Sequence, residues 1–533
     1  MKADKIIKNA RIFTSDKANP EATALVVKDG KFVYVGDYDR ALAVKCINGT
    51  FVGAKQENVI SYKGIPYVGK QPVGNLRWKA PVAFVPDEGV YDASHFAKMS
   101  VQDLSIGENQ GEDCLYLNVY KAEGTAQKRP VMVWIHGGAF VAGGTSMEVF
   151  DCTNLVQEHP DIIFVTVAYR LGVLGMLHLS HLADGKDYPD AQNLTLLDQK
   201  MALQWVHENI AAFGGDPENV TIWGESAGGA SVSMQPLVPG SQQYFQKVIA
   251  QSGAPCQTNS LDESIATTND LLAALGCKTV AELLKIDART LIDTAAEVVR
   301  LRIFPVRDGR ILPLDPWEAY KNGIAKNITF LQGCNKDEMN CFVSDWTVEG
   351  FKTWAAERKT HKYAQLLTDE ERAKIDSYCR EGAETDWDAD SKLFGHSWFI
   401  EGAIKMSECQ TMGGGKSYFY QYRVESSDPI MKCAHFEEVP VLFAHPEFVV
   451  GRTCSDLFCQ TMRALWIQFA KTGNPSLTAE QSPDGKAHEW PIYDLEDKRL
   501  MVLDDNNIHP AKEADVHIVD WERSTFLTNY YML

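Results

Sequence analysis

The sequence predicts an α/β protein: a large, mostly parallel central sheet with helices on both faces. Three observations predict this. Short runs rich in valine and isoleucine recur along the chain: VMVWI (131–135), IIFVTVA (162–168), VTIW (220–223), KVIAQ (247–251) and ITFLQ (328–332). They are apolar on both faces, as the strands of a doubly covered sheet must be. Helical periodicity falls between them; in 196–213, Leu197, Met201, Trp205 and Ile210 lie near one helical face. Strand and helix therefore alternate, which is the pattern of a parallel sheet with helical crossovers. With 533 residues, 45% apolar and 23% charged, the chain has ordinary globular composition and can bury a large core without staples.

The opening residues differ in style. KIIKNARIFTSD and ALVVKDGKFVYVGD alternate apolar and polar positions. They predict antiparallel strands with turns at Lys17–Pro20 and Asp29–Gly30. Residues 1–44 are expected to form a small β appendage, and residues 45–533 a single α/β domain.

Charge and composition exclude several classes. Lysine and arginine total 52 against 71 acidic residues, a net charge of −19, so phosphate backbones would be repelled and nucleic acid is not an expected partner. No apolar run is long enough to span a membrane, and the N-terminal segment has no signal-peptide pattern, so no membrane partner is expected and a cytoplasmic location is. The twelve cysteines are scattered without a C-x-x-C pair and are expected to be reduced. On that reading the N-x-S/T sites at Asn48, Asn193, Asn219 and Asn327 are unglycosylated.

The chemistry centres on TIWGESAGGA (221–230). Gly224, Ser226 and Gly228 fit G-x-S-x-G, between a strand (220–223) and an expected helix (227–235). In that setting the serine occupies a sharp strand-to-helix turn, where a side chain at 224 or 228 would collide with neighbouring chain. The helix start also aims free N–H groups at whatever the serine attacks. A serine hydroxyl needs a base, an acid to orient that base, and donors for the oxyanion. WIHGGAFVAGG (134–144) follows the strand 131–135, and its glycines let the backbone turn N–H groups into a cavity.

With these features, the chain resembles the type-B carboxylesterases, the cholinesterase-like branch of the α/β-hydrolases. The resemblance runs from about Cys46 to the C-terminus, and its motifs appear in family order: GIPYVGKQPVGNLRW (64–78), EDCLYLNVY (112–120), HGGAF (136–140), AYRLGVLG (168–175), NLTLLDQKMALQWVHENIAAFGGDP (193–217), GESAGG (224–229), QSG (251–253), PVRDGRILP (305–313), NKDE (335–338) and WIQFAKTGNP (466–475). It implies a serine esterase with Ser226 as nucleophile, Glu338 as acid and His435 as base, needing no cofactor or metal and acting on a small-molecule ester. Gly138, Ala139 and Ala227 are the implied oxyanion donors, with Ala139 standing where many members have glycine. Ser252 matches a serine that supports the acid's carboxylate. Asp337 and His445 are the rivals for acid and base. Arg77 with Glu112, and Arg170 with Asp198, match internal salt bridges. An amidase or carbamate hydrolase using the same triad, and a non-catalytic binding member of the fold, are the competing readings. Residues 1–37 also resemble the opening strands of metal-dependent amidohydrolases, but no H-x-H metal motif follows.

The chain departs from the family at several points. Secreted relatives close a disulfide at the cysteine matching Cys114, and here Ser100 stands where its partner would fall; Cys277, the start of a second family bridge, has no partner either. The glycine usual after the catalytic histidine is Phe436. The stretch between Ser100 and Cys114 is short and lacks the tryptophan with which cholinesterases bind quaternary ammonium, so a more open gorge suited to bulkier esters is expected. His178 and His181 are spaced i, i+3 without an evident third metal ligand, and Cys454 and Cys459, five apart, are expected on a helix as unlinked thiols.

Overall fold

The apolar runs become the middle of an eleven-stranded sheet. In this computed structural model, which describes residues 5–7, 10–15, 20–28, 30–36, 42–124, 126–359, 368–505 and 507–513, the strands are β1 (Ala54–Gln56), β2 (Val59–Pro66), β3 (Tyr116–Ala122), β4 (Arg129–Ile135), β5 (Ile163–Val167), β6 (Gly215–Glu225), β7 (Lys247–Gln251), β8 (Thr329–Asn335), β9 (Lys416–Tyr422), β10 (Arg499–Leu503) and β11 (His509–Lys512). Their spatial order is β11-β10-β9-β8-β7-β6-β4-β5-β3-β2-β1. Six successive pairings, from β5 through β4 to β10, are parallel, and antiparallel strands close both edges.

Alternation along the strands feeds two large cores and a smaller third one beside β8, β9 and β10. In β4, Val131, Val133 and Ile135 join the larger apolar cluster, while Met132 and Trp134 join a second one across the sheet with Trp223 and Phe443. Both faces are therefore covered, which is why the strand sequences read as continuous apolar runs. The larger face carries α1 (Leu194–Asn209), and the helix after the serine, α2 (Ala227–Met234), is buried at every residue.

The helix expected over 196–213 forms, and Trp205 and Ile210 of its expected face are fully buried, but the rest of that face is not. Leu197 and Met201 are only half-buried, whereas the polar Asp198 and Gln199 are fully buried. Their burial is compensated. Asp198 accepts a bidentate pair from Arg170 at 2.7 and 2.6 Å, and Gln199 donates to Ser231 at 3.0 Å. Apolar periodicity alone misses the satisfied polar groups that share the inner face of this helix with its apolar residues.

Near the N-terminus, Lys5–Ile7, Ala24–Lys28 and Lys31–Gly36 form one antiparallel three-stranded sheet, and Ile12–Phe13 pairs with Glu21–Ala22. The expected turns at Lys17–Pro20 and Asp29–Gly30 each include a residue outside the described set. Among the described residues, no helix is long and apolar enough to cross a membrane.

Candidate active site

Adjacent parallel strands bring separate parts of the chain to one end of the sheet. Ile135 pairs with Gly224, Glu225 with Gln251, and Gln251 with Gly333. The residues that follow these positions are His136, Ser226, Ser252 and, beyond the end of β8, Glu338. This edge lies beside the point where strand order reverses around β4, the place where open α/β sheets bind their ligands.

Ser226 sits at φ 58°, ψ −124°, a left-handed backbone held between β6 and α2. Its N–H donates to Gln251 O at 2.8 Å and its carbonyl accepts from Ala230. The flanking glycines are required by contact. A Cβ on Gly228 would lie 2.0 Å from Ile135 O, and one on Gly224 would lie 2.6 Å from the same oxygen and from Gly228 backbone. The turn is therefore wedged between two strands, and its strain is stored where the side chain must project.

The His-Gly-Gly loop runs beside it with Gly138 at φ 101°, Ala139 at φ 50° and Phe140 at φ 61°. Only Gly138 adopts this region without strain, so the neighbours must hold the loop. His136 does so: it stacks on Tyr169 with centroids 4.4 Å apart, and its Nδ1 donates to Gly137 O at 2.9 Å. Burial pushes its pKa down to about 4, which keeps the ring neutral. Gln102, from the short stretch after Ser100, clasps the loop at both polar groups of Gly143, accepting from its N–H at 2.6 Å and donating to its carbonyl at 2.7 Å. That stretch braces the site.

The expected acid and base lie in contact. His435 Nδ1 lies 2.5 Å from Glu338 Oε2. Glu338 Oε1 accepts from Ser252 Oγ at 2.6 Å and from the Asn335 N–H at 2.7 Å. Asp337 instead engages Cys433 and Lys336, and burial raises its pKa. His445 binds Glu447 at 2.9 Å and the carbonyl of Asp151 at 3.0 Å, away from this pair. Of the two rivals in each role, Glu338 and His435 are the ones that meet.

Two further carboxylates join them: Glu225, which the sequence did not single out, and Glu438, which matches a glutamate that the family carries three residues after the histidine. Glu225, the residue before the serine, lies 2.9 Å from His435 Nε2 through Oε1. Glu438 is fully buried, held by Gln251 at 3.0 Å and Asn335 at 2.7 Å. Burial, then repulsion from Glu225 and Glu338, pushes the Glu438 pKa up to about 8. Burial raises Glu225 as well, while the imidazole opposes that shift. Against the cost of its burial, the carboxylates at 225 and 338 hold the His435 pKa well above the ordinary imidazole value. The GES motif displayed Glu225, but nothing local showed that its side chain turns to a histidine so distant in sequence.

Ser226, Ala139 and Ala227 line a pocket of about 50 Å³ whose walls are mostly apolar: Leu301, Phe304, Phe342, Trp398 and Phe399, with Gln257. Trp398 and Phe399 come from a π-helical turn, His396–Ile400, after a helix Asp386–Gly395. Such turns often mark functional sites because the extra residue re-aims side chains. Here Phe399 is set against the His435 ring, with centroids 4.2 Å apart. The open gorge expected from the short stretch after Ser100 is not found at the serine, because these aromatic rings fill the space. A larger cavity of about 580 Å³ lies behind Glu338, lined largely by charged and polar side chains such as Asp337, Lys392 and Arg423; neither Ser226 nor His435 lines it.

Phe436 takes the left-handed conformation, φ 76°, that the usual glycine would adopt freely, and its ring meets Phe150 edge-on with centroids 6.2 Å apart. The salt bridges form as expected: Arg77 meets Glu112 through two bonds of 2.5 Å, and Arg170 meets Asp198. Ser100 hydrogen-bonds the buried Cys114 thiol, and all twelve cysteines are free. The side chains of Asn48, Asn193 and Asn219 are engaged in internal hydrogen bonds, while Asn327 is exposed. His178 and His181 stack with centroids 5.4 Å apart, and each has a ring nitrogen engaged by a neighbouring side chain, Ser180 or Asn269. Cys454 lies outside the helix predicted for it, which begins at Asp456, and its sulfur is 3.5 Å from that of Cys459.

The model of the carboxylesterase family matches residues 40–519. The para-nitrobenzyl esterase of Bacillus subtilis (strain 168) is 33% identical over 483 residues, covering 86% of this chain and 93% of that protein. The acylcarnitine hydrolase of Mus musculus is 31% identical over 517 residues, covering 87% and 86%. Among solved structures, a Geobacillus stearothermophilus carboxylesterase superposes with a TM-score of 0.79 at 32% identity, covering 91% of this chain and all of that one. The fold, the strand-to-helix serine and these relatives agree: the chain belongs to the type-B carboxylesterase family and is a serine hydrolase of carboxylic esters with the α/β-hydrolase fold.

Proposed function

We propose that Ser226, His435 and Glu338 form the catalytic triad, with the backbone N–H groups of Gly138, Ala139 and Ala227 as the oxyanion hole. His435 takes the hydroxyl proton as Ser226 Oγ attacks the ester carbonyl. Glu338 fixes the tautomer through Nδ1 and stabilises the imidazolium. The three N–H groups receive the developing oxyanion, a donor of this kind contributing about 3 kcal/mol. His435 then protonates the leaving alcohol, and in the second half activates water against the acyl-enzyme. Ser252 positions Glu338. The observation that carries this reading is the 2.5 Å contact between His435 and Glu338 at the strand ends beside the strained Ser226.

The small aromatic pocket favours esters with short acyl groups, since its volume admits only a few heavy atoms. A reduced, cytoplasmic setting is supported by the buried free thiols and by Ser100 occupying the position opposite Cys114. Residues 1–44 are read as a β appendage to the catalytic domain 45–533, supported by a sheet within Lys5–Gly36 that pairs its own strands and a family match that starts at residue 40, although the strand Ala43–Cys46 crosses the boundary to pair with Gly49–Val52.

The test is hydrolysis of nitrophenyl esters of graded acyl length by wild type and Ser226→Ala. Loss of turnover to background in the folded variant, with acetyl and propionyl esters preferred by the wild type, is the expected result. An active alanine variant would refute the assignment of the nucleophile.

A further inference from the structure

Burial raises most thiols in this protein; Cys46, Cys114, Cys379 and Cys409 are each pushed up to about 12. Cys454 behaves oppositely. The Cys459 thiol and Arg452 pull it down to about 6, while Cys459 is raised. The geometry explains the difference. The two sulfurs are 3.5 Å apart, Arg452 Nη2 is 3.8 Å from Cys459 Sγ, and Arg452 Nε donates to Cys454 O at 3.1 Å. Cys454 precedes Ser455, the N-cap of the helix Asp456–Thr472, whose N-terminal turn favours a thiolate. Cys459 lies in that turn, its N–H donating to Ser455 O at 3.1 Å.

The segment leading to Cys454 is joined to the catalytic histidine's own segment. Glu437, two residues after His435, accepts the Val450 N–H. Gly451 O accepts from Ser427 N–H at 2.8 Å, and Thr453 Oγ1 donates to Glu425 O at 2.6 Å. Cys454 and Cys459 are buried, at 5% and 1% exposure, while the nearby Val450 is 47% exposed, so a small disulfide reaches Cys454 when the exposed segment around Val450 opens.

We propose that Cys454 and Cys459 form a reversible disulfide in the presence of a low-molecular-weight disulfide, stapling residues 449–455 to the first turn of the helix Asp456–Thr472. The Cys454 thiolate attacks one sulfur of the small disulfide and expels one thiolate, giving a mixed disulfide at Cys454. Cys459, losing its proton to solvent, attacks the Cys454 sulfur, and the second small thiolate leaves. The two protein thiols are oxidised by two electrons and the small disulfide is reduced to two thiols. The sulfurs need only close from 3.5 Å to about 2 Å, within reach of side-chain rotation.

The experiment incubates the full chain with glutathione disulfide, then with excess glutathione, blocks free thiols by alkylation and maps the peptides by mass. The expected result is loss of two alkylatable thiols of the twelve, both in the peptide carrying 454 and 459, restored by glutathione. Amide exchange over 449–453 slows in the oxidised form. Cys459→Ser stops at the mixed disulfide on Cys454, and Cys454→Ser shows neither product; unchanged turnover of a nitrophenyl ester reports that both variants are folded. Retention of all twelve thiols, loss at other cysteines, a mixed disulfide at Cys454 in the wild type that never resolves, or amide exchange indifferent to oxidation would overturn the proposal.

Discussion

Glu225 is the group whose replacement tests the electrostatics of the site most directly. As the proposed base, His435 must be neutral to act, and two carboxylates favour its charged form, so activity is expected to be absent at low pH and to rise as pH passes the raised imidazole pKa. Glu225→Gln keeps the shape and removes one of the two charges. At the 2.9 Å separation, opposite unit charges attract by about 6 kcal/mol at an effective dielectric of about 20. That figure is a ceiling, because burial works against the charged form of Glu225 and Glu338 already balances the imidazolium. Even a quarter of it, about 1.4 kcal/mol, is a factor of about ten in the protonation equilibrium of His435. The sign follows: without the negative charge the imidazole releases its proton at lower pH, and the acidic limb of the profile moves down. The assay is kcat/KM for nitrophenyl acetate from pH 5 to pH 9, each profile normalised to its own alkaline plateau. On the acid side, normalised activity of the variant is expected to exceed the wild type by about tenfold. An acidic limb that stays in place while the plateau alone falls would refute the electrostatic role and leave Glu225 as a packing group.

Two further outcomes follow from the same cluster and pocket. Glu438, its pKa pushed up to about 8, keeps its proton in the folded chain where an unfolded glutamate releases it near the ordinary value of 4.5, so stability falls as pH rises through that window, by about 1.4 kcal/mol per pH unit. Glu438→Gln removes this dependence; urea unfolding at pH 6 and pH 8 is expected to show a wild-type loss up to about 3 kcal/mol larger than the variant's, and equal losses would contradict the buried proton. Phe304→Ala enlarges the pocket on a wall away from His435, and the ratio of butyryl to acetyl turnover is expected to rise about tenfold, the usual worth of pocket space for a methylene or two; an unchanged ratio would mean that the acyl group binds elsewhere.

Local pattern was enough for the framework. The runs at 131–135 and 247–251 mark strands because both faces of the sheet are covered, and the glycines around Ser226 mark the turn because any side chain there strikes backbone. Resemblance to the family named Glu338 and His435, the two side chains that the fold brings into contact. Tertiary structure decided the rest. Asp198 and Gln199 are fully buried beside the half-buried Leu197 and Met201 because they find partners on other segments of the chain. Glu225 and Glu438 enter the site only when β6, β7 and β8 lie side by side. Trp398 and Phe399 close the pocket through a π-helical turn that no hydrophobic period announces. Cys454 meets Cys459 because the chain reverses at a helix cap. Periodicity records which face of an element avoids water; it carries no record of which distant charge or ring that element will meet, and in this protein those meetings set the proton affinity of His435 and the size of the pocket beside Ser226.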